Sequence, residues 1–424
     1  VSEQAGPAVV VDPYSSGALF ASALAERGIE VVAVLSSEKP PEAYASSYRP
    51  QDYTDPIVFR GDLAEVADRL RPLDPRCVIA GCESGVELTE RLAPLVAPWR
   101  SNVAELADAR RDKWAMAKAV AAAGLPIIPQ ICTDDADEVR DWLLRAGLTG
   151  RDLVIKPPKS ASTDGVVKVA GGADWAGVFA ANLGRVNQFG EVDDRLLVQQ
   201  LVTGTEYVID TFTQDGVHAL VDVCRYSKVD NGPYMAVYDT MRWLPETDPA
   251  IPALLDYARQ VLDAVGVRYG AAHVEIMNTA DGPLLIELGA RPHGGGQPRF
   301  NRVATGDSQI DRTVRSLAGE PVSADYRLVQ HQLCVFHIAP SSGTVHGVSA
   351  LEKVRDLPSH HFSVQNLVEG GPVRATGNLV DSLDFGFAIL SHPDAAQVDA
   401  DHRVVRDLER ELVITPTDQP AAIG

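Results

Sequence analysis

Ala271-Ala-His-Val-Glu275-Ile-Met-Asn-Thr-Ala-Asp-Gly282-Pro-Leu-Leu-Ile-Glu287-Leu-Gly-Ala-Arg291 is the stretch from which the rest of the chain is read. Residues 271–278 and 283–288 are apolar, strand-prone runs separated by the turn residues 279–282. The pattern predicts two antiparallel strands, which set Glu275 and Glu287 opposite one another with their side chains on one face. Two carboxylates at one spot repel, and each favours protonation unless a cation lies between them. A hard divalent ion with oxygen ligands, as magnesium is, meets that need when one or two carboxylates and phosphate oxygens hold it. Arg291 follows on the same stretch and offers a planar fork for a carboxylate or an acyl phosphate. A surface hairpin with two glutamates and a solvated arginine would look the same in isolation.

Lys113 and Lys156 weaken that plainer reading. Lys156 ends the apolar run Leu153-Val-Ile155 and is followed by Pro157. A lysine ending a buried strand is poorly placed for water, and a phosphate would give its charge a partner. Downstream, Lys159-Ser-Ala-Ser162-Thr-Asp-Gly165 is a small polar turn whose backbone N–H groups can cover phosphates. Ser/Gly turns are common, so this one adds little alone.

The organisation around this centre has three textures. Ala8-Val-Val-Val-Asp12 suits a buried parallel strand, residues 18–27 read as a helix ended by Gly28, and 29–35 as the next strand. With the run 77–80 leading into Gly81-Cys-Glu83-Ser-Gly85, residues 1 to about 105 read as a Rossmann-like lobe. Residues 108–123 read as one charged amphipathic helix. Strands and helices without strict alternation follow to about 327, which suggests α+β. From 328 to 415 short strands with Gly and Pro turns dominate, and 416–424 read as a disordered tail. The fold class expected is α/β and α+β, multidomain.

Bulk properties exclude several functions. With 45% hydrophobic and 23% charged residues the chain is of globular composition, and no apolar run approaches the roughly 18–20 residues that span a bilayer. The start lacks a charged n-region and an apolar core, so a cytoplasmic location is expected. A net charge of −20 without any Lys/Arg cluster argues against a nucleic-acid partner. The five cysteines form no CxxC pair, so reduced, buried thiols are expected rather than a disulfide framework or a zinc knuckle.

Asp112-Lys113, Val154-Ile-Lys156-Pro157, Leu197-Val-Gln-Gln-Leu-Val-Thr-Gly204-Thr-Glu206-Tyr and the set Glu275, Glu287 and Arg291 together resemble the ATP-grasp superfamily. The order and spacing match across about 105–300. The flanking regions resemble the biotin-carboxylase-like lobes that accompany it, and Asp12-Pro-Tyr-Ser-Ser-Gly17 and Gly81-Cys-Glu83-Ser-Gly85-Val are similar to bacterial L-amino-acid ligases that form dipeptides. The resemblance implies a Rossmann-like domain at 1–105 and an ATP-grasp domain at 106–327, with a small nucleotide-lid lobe at about 125–203. A C-terminal lobe at 328–415 would complete the module.

It also implies roles. Lys113 and Lys156 would contact the ATP phosphates, with Ser162 in the covering turn. Gln199, Gln200 and Val202 would form the adenine hinge, and Glu206 would hold the ribose. Glu275 and Glu287 would bind two magnesium ions. Arg291 would steady the acyl phosphate, so that Arg291 and Lys156 are the catalytic pair. Glu83, His273, Arg291, His293, Gly294 and Gly295 are candidate substrate contacts. Glu83 can equally serve as a carboxylate at a helix N-terminus, His273 as a satisfied core histidine, and Arg291-Pro-His-Gly-Gly-Gly296 as a plain turn. The implied activity is an ATP-dependent carboxylate–amine ligase working through an acyl phosphate, with small-molecule acid and amine substrates and release of ADP and phosphate. A homodimer is compatible with it. A biotin-carboxylase-like or purine-biosynthesis-type enzyme and a non-catalytic nucleotide-binding module are the alternatives. The chain departs from the family pattern at Gly289, where an Asn near the second magnesium is usual, at the hinge glutamines, and within 231–243, which lacks the Glu and His expected over the substrate.

Overall fold

The computed structural model describes residues 6–161, 163–232 and 234–416. The chain forms two compact units, one of residues 6–223 and 246–327, the other of 224–245 and 328–416. Ser162 and the expected tail 417–424 lie outside the described residues.

In the first unit, strands Ile57–Val58, Val31–Leu35, Ala8–Val11 and Cys77–Ala80 lie side by side in that order, all parallel. A parallel sheet is covered on both faces, which is why Ala8-Val-Val-Val11 is apolar without alternation and buried throughout. Val9 and Val11 pack with Val66 and Leu70 of helix Leu63–Leu70 and Leu88 and Leu92 of helix Val86–Val96. Ala8 and Val10 face Phe20 and Leu24 of helix Leu19–Ala25 and, from far along the chain, Ile310, Val314 and Leu317 of helix Gln309–Leu317. Glycines close the carboxyl ends of these strands. A Cβ on Gly81 would lie 2.3 Å from Asp12 O, and one on Gly17 would lie 2.4 Å from Gly81 Cα. Asp12, fully buried, ties these ends together by accepting from Ser36 N (2.7 Å), Ser36 Oγ (2.6 Å) and Ser84 Oγ (2.6 Å).

The same unit holds an antiparallel sheet in the order Gln130–Thr133, Leu196–Gln200, Leu153–Lys156, Val167–Val169. Val139, Leu143 and Phe179 of its two helices seal one face over Leu153, Ile155, Leu196 and Val198. A further antiparallel set runs Gly282–Gly289, Gly270–Thr279, Thr205–Gln214, then residues 217–223. Helix Ile251–Ala264 packs on its hairpin, and Tyr257 Oη accepts from Leu285 N at 3.0 Å.

The continuous helix expected over 108–123 is instead a 3-10 segment, Ala104–Arg110, a break at Arg111, and helix Lys113–Ala122. Asp112 is the cause. Its side chain accepts from Trp114 N (2.9 Å) and Ala115 N (3.0 Å), and an aspartate gains more at an N-cap than inside a helix.

In the second unit, residues 224–231, Tyr234–Trp243, His331–Phe336, Gly386–His392 and His360–Gln365 form an antiparallel sheet. Helix Ala395–Glu409 covers it through Val398, Val405 and Leu408. Of the segment 231–243, the part expected over the substrate, Tyr234–Trp243, is the second strand of this sheet. All five cysteines are free, four buried and Cys132 half-buried. Among the described residues no helix is long and apolar enough to cross a membrane.

Candidate active site

The hairpin places Glu275 directly opposite Glu287, with a bulge between Glu275 and Ile276. Glu275 is nearly buried and Glu287 half-buried. The break before helix Lys113–Ala122 sends Lys113 to this spot: Nζ lies 3.0 Å from Glu287 Oε2 and donates to Ser160 O at 2.6 Å. Lys156, at the end of its strand, is buried. Burial and the neighbouring charge of Lys113 hold its ammonium down to about 8, against the pull of Glu287, Glu275 and Glu206. The structure thus brings Lys113, Lys156, Glu206, Glu275 and Glu287 into one electrostatic group. Two lysines facing two or three carboxylates can accept phosphate oxygens and a hard cation together, and the oxygen donors of Glu275 and Glu287 fit magnesium.

The turn after Lys156 is braced from outside. Asp164 Oδ2 accepts from Gln188 N at 2.9 Å, and Asn187 Nδ2 donates to Lys159 O at 3.0 Å. At the expected hinge, Gln199 is buried and its amide donates to Gln130 Oε1, so its side chain is engaged within the sheet. The strand ends at Gln200, whose N–H donates to Pro129 O at 3.0 Å, and half-buried Val202 follows.

A second group gathers around Glu83, buried at the mouth of the parallel sheet. Arg291 Nε donates to its Oε2 at 2.9 Å, and Arg111 Nη1 lies 3.5 Å from its Oε1. Burial pushes the Glu83 carboxyl up, but the charges of Arg291, Arg111 and Lys113 outweigh it and leave it below the usual range. Burial likewise works against the Arg291 charge, and Glu83 more than restores it. Gly289 faces this pair: a Cβ there would sit 3.0 Å from Glu83 Oε2 and 3.1 Å from Arg291 Nε. A side chain at 289 would therefore begin beside the Glu83–Arg291 pair.

His273 and His293 converge on Asp210, which is completely buried. Both Nδ1 atoms lie 2.8 Å from its two oxygens, the rings are 4.2 Å apart, and His273 Nε2 lies 3.2 Å from Glu275 Oε1. Burial lowers the affinity of both imidazoles for protons. For His273 the charge of Asp210 and hydrogen bonds to Asp210 and Glu275 prevail and raise it to about 9, whereas His293 stays lowered. His273 therefore lines the site and is satisfied within it. The loop after Arg291 is anchored to the N-terminal turn: Gly295 N donates to Ser15 Oγ and Gly296 N to Ser16 Oγ, each at 3.0 Å, and Ser16 Oγ donates to His293 O. Those two N–H groups hold the loop in place. Gly294, between them and His293, is half-buried.

Sequence reasoning missed Arg111 and Asp210. Arg111 was absorbed into a helix that the Asp112 cap interrupts. Asp210 carried a visible signal, a charged residue inside the apolar strand Tyr207-Val-Ile-Asp210, where an unpartnered carboxylate would be costly.

Known proteins share the family and the fold of this chain. The ATP-grasp domain family matches residues 149–297. Dapdiamide A synthase of Enterobacter agglomerans is 30% identical over 412 residues, covering 95% of this chain and 96% of that protein. Among solved structures, an L-amino acid ligase from Bacillus licheniformis superposes with a TM-score of 0.72 at 18% identity, covering 97% of this chain and 99% of that one. A carboxyaminoimidazole ribonucleotide synthase from Aspergillus clavatus, complexed with ATP, does so with a TM-score of 0.66 at 15% identity, covering 96% and 99%.

Proposed function

The chain belongs to the ATP-grasp family and is an ATP-dependent ligase that forms carbon–nitrogen bonds, and from that premise we propose that it joins an amino acid or amino-acid-like acid to an amine through an acyl phosphate, with magnesium held by Glu275 and Glu287. The observation that carries this reading is the opposition of Glu275 and Glu287 beside Lys113 and Lys156, with Arg291, paired to Glu83, on the continuation of the same strand.

A carboxylate is a poor electrophile, and phosphorylation turns one oxygen into a leaving group. Phosphoryl transfer asks mainly for alignment and charge neutralisation. In this reading Lys113 and Lys156 neutralise the ATP phosphates, and Glu206 with the main chain around Gln199, Gln200 and Val202 seats the nucleoside. Magnesium, when bound, neutralises phosphate charge beyond what two lysines can. Arg291 grips the acid while Glu83 receives a substrate ammonium. His273, held by Asp210, fixes Glu275. The turn 159–165 excludes water from the acyl phosphate. The lobes at 1–105, 106–327 and 328–415 are taken as the functional divisions, the site drawing on the first two.

The test is ADP and phosphate release across a matrix of acids and amines, with bicarbonate as the control acid. Release that requires one organic acid and one amine supports the reading. Release driven by bicarbonate alone would transfer the chain to the carboxylating or purine-type enzymes, and no release with any pair would leave a nucleotide-binding module.

A further inference from the structure

Four successive carbonyls beyond strand Leu153–Lys156 are held alternately from two sides. Lys113 takes the first and third: its N donates to Pro158 O at 3.0 Å and its Nζ to Ser160 O at 2.6 Å. The loop after helix Trp175–Asn182 takes the second and fourth: Asn187 Nδ2 donates to Lys159 O at 3.0 Å and Gln188 Nε2 to Ala161 O at 2.5 Å. Asn187 is buried and uses its whole amide, two N–H donors and an oxygen with two lone pairs. The second N–H reaches Asp193 Oδ1 at 3.3 Å, and the oxygen accepts from Phe189 N at 2.9 Å and Glu191 N at 3.2 Å. With the bridge between Val186 and Val192, these bonds close residues 184–193 into a hairpin. Its tip is seated on Arg111, whose Cζ lies 5.3 Å from the centre of the Phe189 ring and whose Nη2 lies 3.9 Å from Glu191. Phe189 also packs against Tyr44, with ring centres 6.1 Å apart. A further tie on the segment, Lys159 Nζ to Glu87 at 3.1 Å, is open to solvent and holds little.

We propose that Asn187 and Phe189 are positioning residues that act through Lys113. Asn187, with Gln188, fixes the 158–161 backbone whose Ser160 carbonyl aims the Lys113 ammonium, and Phe189 seats the hairpin on Arg111 and Tyr44. This deepens the proposed function, in which Lys113 neutralises ATP phosphates, and rests on it. A lysine ammonium rides on a flexible stem, so a productive position must be fixed at its end. One N–H of Lys113 faces Glu287 Oε2 at 3.0 Å and another meets Ser160 O, and the third suits a phosphate oxygen. A carbonyl fixes the ammonium only as well as its own backbone is fixed. Residues 158–161 lie outside any strand or helix, so no ladder holds them, and the hairpin supplies the missing donors. The same hairpin rests on Arg111, the neighbour of Glu83 at 3.5 Å. A single element therefore spans from the Glu83–Arg111 pair to the ammonium beside Glu287.

The experiment uses the full chain and measures by calorimetry the Kd of the β,γ-imido analogue of ATP with magnesium, which requires neither acid nor amine. Lys113→Ala should raise that Kd about tenfold, the loss of one charge-assisted contact. Asn187→Ala and Phe189→Ala should each raise it roughly fivefold, within the range over which members of one network couple. In the Lys113→Ala background each should change it by less than about twofold, because the group they position is gone. A hairpin with a merely structural role would weaken binding by the same factor in both backgrounds. That additive outcome overturns the proposal, as does wild-type affinity in the Asn187→Ala and Phe189→Ala proteins. Should Asn187→Ala fail to fold, Phe189→Ala, at a half-buried position, completes the same cycle. Wild-type affinity in Lys113→Ala would instead refute the phosphate role of Lys113 in the proposed function, and the positioning role with it.

Discussion

Lys156 carries two opposed demands, burial at the end of a strand and, in the proposed function, a charge that meets phosphate. With its ammonium held down to about 8 by burial and by Lys113, the free enzyme holds the charged form below that pH and loses it above. Since kcat/KM reports the free enzyme, kcat/KM for ATP is expected to be level up to about pH 8 and to fall beyond it. A profile flat through pH 9.5 would show that Lys156 is not needed as a cation. Lys156→Ala should lose on the order of 10²-fold or more in kcat, as for one electrostatic stabiliser. Gly289 illustrates a different constraint. Because an added Cβ meets Glu83 and Arg291 at about van der Waals limits or closer, Gly289→Ala should push that ion pair apart and raise the KM of the acid by roughly tenfold. The magnesium concentration for half-maximal rate should hardly move. If the magnesium requirement changes and the acid KM does not, position 289 faces the metal after all.

At the scale of elements, the helix start at Asp112 does more than end an orphaned backbone. Asp112 is buried, caps two N–H groups and accepts from Arg195 Nη2 at 2.6 Å, which fixes the first residue of the helix, Lys113, against Glu287. Asp112→Ala is expected to cost about 1–2 kcal/mol in urea unfolding, the worth of a cap. It should also raise the KM for ATP, because Lys113 loses its anchor. A stability loss with no change in that KM would confine the cap to a structural role. The same element shows where sequence reading stops. Amphipathic periodicity over 108–123 is real, but Asp112 caps a new helix within it, and its partner Arg195 is distant in sequence, so Arg111 was hidden in a helix face. The hairpin was legible because turn and period together set its register, and Glu275 fell opposite Glu287 as expected. The strand Ala8–Val11 was legible for a similar reason, since a run without alternation has few other homes. Helix Gln309–Leu317, which covers one face of that strand, was not: the contact joins residues some three hundred apart, and nothing local marks it. Asp210 likewise makes sense only once His273 and His293 are folded against it.

The molecule as a whole carries a charge of −20, yet its candidate site gathers Arg111, Lys113, Lys156 and Arg291 around three buried or half-buried glutamates. An acidic surface repels free anions at long range, so in the proposed function the affinity for ATP and for carboxylates comes from these short contacts and from magnesium. Under the proposed function the arrangement also sets which bonds break. With the lysines and paired glutamates on the phosphate end and Arg291 on the acid, the carboxylate oxygen attacks the terminal phosphorus and ADP leaves. The amine then attacks the carbonyl carbon, the carbon–oxygen bond breaks, and the phosphate departs with the oxygen that came from the acid. The amine loses a proton and an amide remains. An acid labelled with oxygen-18 in its carboxylate should therefore give phosphate bearing one labelled oxygen per turnover, with ADP unlabelled, as mass spectrometry of the products will read. Label in AMP would place the attack at the α-phosphorus, where pyrophosphate is the leaving group. That outcome would sink the acyl-phosphate mechanism even if every site residue proved essential. Unlabelled phosphate formed at the rate of amide would sink it as well, since no acid oxygen could then have bridged carbon and phosphorus.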